Sequence, residues 1–413
     1  MDHPIITGLL LVAGLLLAVV AQWRGWRPSL RAALVTGIAV RLAMLVLSAI
    51  SDWQPVDFVE SFKPAGEAIL ERVDPVLPPR EGWHFLPTSA YVYAFAIWTG
   101  LPWEIGGRLY PMIADIVLIV LVGKLAGEKR EALARFQYAV NPLALMVSTL
   151  HAQLEPVSLV FLAGAFVVVR NRRIPFTPRR AVYAGLLMGM ALSSKSWPVI
   201  LIPVLLMCVP DWKNRIRTFV VTGLVPFFFL ITMPIGTNTP IERMPEVISI
   251  IRGVRPIVGE WGWTAITAGG QWELDATAAR IGQVVLYSTL LLVMWLWRKA
   301  DRLDMVTAML LAFMVVTPRL GAQYLLWFMP FLIARPTRWM WPAITAVSLW
   351  AGAGYIYLTQ FETDDAWWAA HIPWAYSSLA VIPFLVLAMP WARRVPGPER
   401  PPAAEAEAAL IPR

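Results

Sequence analysis

The chain has 413 residues, 58% of them hydrophobic, and a mean hydropathy of +0.60, where a soluble domain is roughly 45–50% apolar. Apolar runs recur from end to end, which excludes a soluble domain carrying one anchor and predicts an all-α polytopic membrane protein. The net charge of +8 would point a soluble protein toward nucleic acid; here the basic residues fall in short loops between apolar runs, so the positive-inside pattern explains them and no nucleic-acid partner is expected.

The candidate spans, in chain order, are 5–21, 32–50, 106–123, 136–150, 154–170, 181–194, 197–209, 218–234, 280–297, 305–317, 321–334, 340–358 and 374–391. Basic clusters lie at Arg24/Arg27/Arg31, Lys124/Lys129/Arg130/Arg135, Arg170/Arg172/Arg173/Arg179/Arg180, Lys213/Arg215/Arg217, Arg298/Lys299/Arg302, Arg335/Arg338 and Arg393/Arg394. All are placed on the cytoplasmic side, and an even number of crossings then joins each consecutive pair. The N-terminus falls outside. Met1 to Pro4 has no basic stretch and no small-residue cleavage site follows the first run, so no cleavable signal peptide is expected. Cys208 is the single cysteine, which rules out an intrachain disulfide. The 21 tryptophans fit interface belts. One transmembrane domain is expected over 1–391, followed by a Pro- and Ala-rich, disordered cytoplasmic tail over 392–413.

The first outside loop, 51–105, opens on Asp52 and Asp57. Phe58, Val59, Phe62, Ile69, Leu70 and Val73 then recur near helical spacing among charged residues, which predicts an interfacial amphipathic helix kinked or started near Pro64. By position alone, either aspartate is equally a cap or dipole residue. The apolar stretch 88–100 is too short to cross a membrane and reads as a surface or half-inserted helix.

Three helical pairs further along are short. They are joined at "STLHAQLEP", "SSKSW" and "TPRLGAQY". About 14 residues of helix rise only ~21 Å against a hydrocarbon core of ~30 Å. The tips are therefore expected below the outer surface, where irregular backbone is tolerated only against protein or a water-filled cavity. They carry His151, Gln153 and Glu155; Lys195; and Arg319, Gln323 and Tyr324. Each residue alone reads equally as a solvated loop residue, but three polar tips on one side mark a candidate site. The second long outside loop, 235–278, carries a short amphipathic helix over Met244 to Ile251. Arg252, Arg255, Glu260, Trp261 and Trp263 are its candidate contacts to an acceptor head group, or simply interface anchors.

This order of motifs resembles the GT-C superfamily of membrane glycosyltransferases, nearest to the family 87-like α-mannosyltransferases that use polyprenyl-phosphate-mannose. The resemblance rests on Asp57, then "GEAIL" (Gly66 to Leu70) and Asp74-Pro75; on Asn141-Pro142 before "HAQLE" (His151 to Glu155); on Lys195 with Pro198 and Pro203; and on Pro318, Arg319 and Tyr324 with Pro330 beyond. It covers roughly 30 to 390. Phe62 stands where family 87 often has a tyrosine, Glu60 intervenes, and the run 5–21 is an extra helix before the usual first one.

The resemblance implies a GT-C-like bundle of about 12–13 transmembrane helices, with a site facing the periplasmic or extracellular side of the plasma membrane. It implies transfer of a hexose, mannose first, from a polyprenyl-phosphate donor to a glycolipid or envelope glycan. Asp57 is then the catalytic base, with Asp52 its rival. Lys195 and Arg319 bind the donor phosphate. Glu60, His84, His151, Gln153, Glu155, Gln323 and Tyr324 are substrate-binding candidates. One carboxylate in one displacement implies inversion; a retaining mechanism would need a second carboxylate about 5–5.5 Å away, a place Glu60 leaves open. His84, His151 and His371 share the outer side, so a divalent metal is conceivable, but no ligand spacing supports one and none is assigned. The rival reading is a lipid or solute transporter, for which broken helices with intramembrane charge are equally usual.

Overall fold

The computed structural model describes residues 2–78, 82–171, 174–252, 259–272 and 274–394. Of the tail expected over 392–413, residues from 395 lie outside the described residues, as do Arg172, Arg173 and Arg255, while its start belongs to an ordered turn, Trp391–Arg393, with Arg393 bonded to the Pro336 and Arg335 carbonyls. Every regular element among the described residues is helical.

Six helical stretches are long and apolar enough to cross a membrane: Pro4–Trp23, Leu30–Ala49, Trp103–Ala126, Trp212–Gly236, Ala276–Leu296 and the composite Asp364–Arg393. The other expected spans are shorter or broken. Glu155–Arg170, Pro178–Ser194 and Arg302–Val316 have 16, 17 and 15 residues. Apart from Trp103–Ala126, which is 24 residues long with 50% of its apolar window buried, the long helices are the least buried. The apolar window of Trp212–Gly236 is 17% buried, whereas 11 of the 15 residues of Arg302–Val316 are buried. The other long helices thus form an outer layer with exposed isoleucines, leucines and valines, and short helices pack with Trp103–Ala126 in the centre. Because a 15-residue helix rises only ~22 Å, the short central helices end at depth and leave their tips inside the bundle.

Local sequence explains the breaks. The expected span 136–150 is interrupted after Ala139 and restarts at Pro142–Leu145, where the Asn141 side chain accepts from the Ala144 N–H at 3.0 Å and Pro142 occupies the first turn. The arm expected over 197–209 is a 3₁₀ turn, Trp197–Leu201, followed by Ile202–Met207. The arm expected over 321–334 is likewise Ala322–Leu326 in 3₁₀ form, then Met329–Ala334. Pro198, Pro203 and Pro330 each sit in a first turn, where a missing N–H costs nothing. The last span starts at Asp364, ten residues before its expected 374, because Thr363 caps it through the Ala366 N–H.

Small residues set the closest packing. Ala181, Gly185 and Gly189 recur every fourth residue against Trp212–Gly236, and a Cβ at Gly185 would meet the Thr218 carbonyl oxygen at 2.7 Å. Thr218 and Thr222 donate across to Ala181 and Gly185. A buried clamp joins three further helices: Arg41 grips Asp115 at 2.9 and 2.6 Å, and Tyr138 donates to the other carboxylate oxygen at 2.7 Å.

The two ends differ. The basic clusters meet at one end, where Arg170 pairs with Asp301 and Arg335 with Asp304. The polar tips meet at the other, which also holds the N-terminus, since Asp2 accepts from the Asp52 N–H at 2.6 Å.

Candidate active site

Asp57 opens a π-helical turn, Asp57–Phe62, which runs directly into Lys63–Leu70. Beneath it lies an aromatic nest. Phe58 stacks on Trp103 at 4.8 Å, Phe62 stacks on Tyr93 at 5.4 Å, and the Trp103 indole donates to the Phe58 carbonyl at 3.0 Å. Gly66 of "GEAIL" lets this helix touch the Thr88–Trp98 helix, because a Cβ there would meet the Tyr93 and Ala94 backbone at 3.0 and 3.1 Å. The apolar face is thus held down while the Asp57 side of the turn stays exposed.

The His151-to-Glu155 tip reaches this aspartate. A second π-helical turn, Met146–Leu150, precedes it, and buried Ala152 takes φ 58°, a left-handed conformation uncommon without glycine. Such strain gathers at functional sites. Gln153 is 1% exposed. Its Nε2 donates to Asp57 Oδ2 at 2.6 Å, and its Oε1 accepts from Lys195 Nζ at 3.4 Å. The charges fix the amide's orientation, since the reverse flip would set NH₂ against an ammonium and oxygen against a carboxylate. The same NH₂ meets His151 Nε2 at 3.1 Å, which makes that nitrogen an acceptor. The ring proton is therefore on Nδ1, which donates to the Tyr355 hydroxyl at 2.7 Å. Tyr355 lies in a third π-helical turn, Ala353–Tyr357.

Lys195 Nζ also donates to Glu155 Oε1 at 2.7 Å. Helix ends explain the pair. Glu155 begins Glu155–Arg170, where the dipole favours an anion, and Lys195 follows the last residue of Pro178–Ser194, where it favours a cation. Both are nearly fully buried, and the second Glu155 oxygen has no hydrogen-bond partner. The ammonium lies 5.1 Å from the Phe85 ring centroid and 5.9 Å from that of Tyr324.

Of the sequence candidates, Asp57, His151, Gln153, Glu155 and Lys195 are brought into one hydrogen-bonded group, and Tyr324 packs beside it. Arg319 lies on the same hairpin as Tyr324, whose ring is beside Lys195. It sits on a stapled turn, because Thr317 Oγ1 both accepts from the Arg319 N–H and donates to its carbonyl. Gln323 is half-buried on the same hairpin. His84 is one step removed. It contacts the Gly82 carbonyl at 3.1 Å and packs on Phe85. Glu60 is exposed on the Asp57 turn. The rival Asp52 is exposed near Asp2, and it is Asp57 that Gln153 grips. Asp74 turns out to tie loops together. It caps Val76 and Leu77 and accepts from Thr239 in the loop 235–278. Trp261 and Trp263, considered as acceptor contacts, point inward: their indoles donate to the Met314 and Val316 carbonyls at 2.6 and 3.1 Å.

Two members were missed in the sequence. Tyr355 follows "AGAG" in a run that reads as ordinary span. Arg108 is 1% exposed, bonds the Thr149, Glu104 and Gln54 oxygens, and lies 4.3 Å from the Phe58 ring centroid. A lone arginine five residues into an apolar helix was its available signal. Among the described residues, no group of three or more His, Cys, Asp or Glu side chains is placed to hold a metal ion.

The fold and this buried charge define an all-α polytopic membrane protein with a polar site built from helix tips at one end. Comparison of the chain with protein-family models, with curated proteins and with solved structures finds no match.

Proposed function

We propose that the protein is a membrane glycosyltransferase of GT-C type. It moves a hexose, mannose first, from a polyprenyl-phosphate donor to a glycolipid or envelope glycan on the outer face of the plasma membrane. The observation that carries this reading is the pairing of an exposed carboxylate, Asp57, with a buried ammonium, Lys195, through one amide, Gln153. A displacement at an anomeric carbon needs a base on the entering hydroxyl and positive charge at the leaving phosphate. These two groups stand a glutamine apart.

In the reaction, the acceptor oxygen attacks the anomeric carbon and its proton passes to Asp57. The bond from that carbon to the phosphate oxygen breaks, and the electron pair leaves on the polyprenyl phosphate. Lys195 has a third N–H beyond those given to Glu155 and Gln153, and it offers this to the phosphate, with Arg319 as a second cation. Phosphate charge grows as the sugar departs, so both cations stabilise the transition state more than the ground state. Tyr355 accepts from His151 and keeps its own hydroxyl proton for a substrate oxygen. A single base implies inversion.

The test is transfer of label from polyprenyl-phosphate-mannose, then from the glucose and arabinose analogues, to an extract of host lipids by purified protein. Label is expected to move from one donor and to stop moving in Asp57→Asn. Absence of transfer from every donor would leave the transporter reading in front.

A further inference from the structure

The second outside loop and the last helix build a second aromatic structure. Residues 259–272 form a tight strap. Its ends close through the Gly259 N–H and the Gln271 carbonyl at 2.9 Å. Trp261 and Trp263 tie it to the last carbonyls of Arg302–Val316, and the Gly262 N–H donates to Ser378 Oγ at 2.7 Å. Helix ends leave carbonyls that need such donors. Gly270, at φ 75°, lets the strap lie on the last helix, where a Cβ would meet Ile372 Cα at 3.3 Å.

This seating brings Glu260 to His371 at 2.8 Å, with the imidazole fully buried. Burial raises the Glu260 carboxyl above its ordinary range, and the histidine opposes that shift. Four indoles surround the imidazole. Trp367 stacks on it at 4.4 Å, with Trp368, Trp374 and Trp272 at 5.2, 5.3 and 6.4 Å. Trp272 meets Trp367 and Trp368 at 5.4 and 5.7 Å yet stays 52% exposed, so its own ring is available.

We propose that Trp272, Trp367 and Trp368 form a subsite for a saccharide ring of the acceptor. The choice of occupant follows from the charges. Exposed Glu362, Asp364 and Asp365 edge the corner, and neither 259–272 nor 360–377 contains a lysine or arginine. That rim repels a phosphate head group and suits a neutral polyhydroxylated ring, whose C–H faces pack on indoles while its hydroxyls donate to carboxylates. Lipid-anchoring tryptophans would not need a buried Glu–His pair beneath them. The wall also leads to the site already described: Trp374 packs on Gly354, whose neighbour Tyr355 binds His151.

This inference rests on the glycosyltransferase reading, and its test separates the two. Saturation-transfer NMR of the full chain in detergent is run without donor, using methyl α-mannoside, a mannobiose and choline as probes. Saturation of the sugar ring protons is expected in the wild type and in Asp57→Asn, and its loss in Trp272→Ala and Trp368→Phe. With labelled donor, Trp272→Ala is expected to raise the acceptor KM roughly tenfold, with the donor KM unchanged. Undiminished saturation in both tryptophan variants, or choline displacing the sugar, overturns the subsite. Loss of saturation without any measurable transfer would keep the saccharide subsite and sink the enzyme reading instead.

Discussion

At the basic end, Asp304 is 1% exposed and accepts from Arg335 at 2.9 and 2.7 Å and from Arg393 at 2.9 Å. Arg393 also donates to the Pro336 and Arg335 carbonyls, and Arg170 grips both oxygens of Asp301. Most of these bonds are two-pronged, though the Arg393 Nε is left without a partner. At the tip end, Glu155 has an unpartnered oxygen, Lys195 an unassigned N–H, and Asp57 lies open to solvent. The comparison teaches where to look for chemistry. Burial and ion pairing occur at both ends, and the basic end too leaves the Nε of Arg130, Arg135 and Arg393 without a partner, so none of these marks a site; what sets the tip end apart is an exposed carboxylate joined through one amide to a buried ammonium.

The strongest test of that contrast sets Asp57→Asn against Asp304→Ala. Removing an exposed base is expected to lower transfer by ~10²–10⁴-fold with no change in melting temperature. Removing Asp304 takes a buried anion from two part-exposed guanidinium groups, and the lost charge-assisted bonds, each ~1.5–3 kcal/mol, are seen as a lower melting temperature and poor recovery in detergent. Equal loss of stability in both variants would erase the distinction between the ends.

Lys195 carries both properties, so the next test splits them. Lys195→Met leaves Glu155 buried and alone, which is expected to cost ~3–5 kcal/mol and to abolish transfer. The double variant Lys195→Met with Glu155→Leu replaces the pair by apolar groups. Thermal unfolding should return close to wild type while transfer remains absent. A double variant that regained transfer would remove Lys195 from the phosphate.

Much of this was legible in the sequence because charge and apolar length are one-dimensional quantities. The basic clusters and the short hairpins at His151, Lys195 and Arg319 give the two ends without a structure. The breaks at Asn141-Pro142 and near Pro198 and Pro330, by contrast, divide stretches that apolar length alone reads as whole spans, 136–150, 197–209 and 321–334. What was not legible is where a side chain points. Trp261 and Trp263 look like Trp272 in the sequence, yet two bind backbone inside the bundle and the third is exposed. Tyr355 is 204 residues from His151, and nothing local announces their bond. The π-helical turns beginning at Asp57, Met146 and Ala353 are equally silent, because the extra residue in each is set by tertiary contacts.

Gln153 offers a smaller but sharper test, since it touches both charges without being either. Gln153→Leu removes the bond that holds Asp57, a charge-assisted interaction of ~1.5–3 kcal/mol, so turnover should fall roughly ten- to a hundredfold. The donor KM should move less than in any Lys195 variant short of full loss, such as Lys195→Arg. If the KM change dominated instead, the amide would be a donor contact rather than the support of the base.

The smallest expected effect lies at Tyr355. Its hydroxyl accepts from His151 and leaves a proton for substrate, so Tyr355→Phe keeps the ring and deletes one hydrogen bond. Neutral bonds of this kind are worth ~0.5–1.5 kcal/mol, which corresponds to a two- to tenfold fall in turnover. The variant also strips the His151 Nδ1–H of its acceptor while the amide still holds Nε2. His151→Phe in the same background should then add little, because the histidine acts through the tyrosine. Additive losses in the double variant would show instead that His151 meets substrate on its own, and would place the open bonding capacity of this end on both rings.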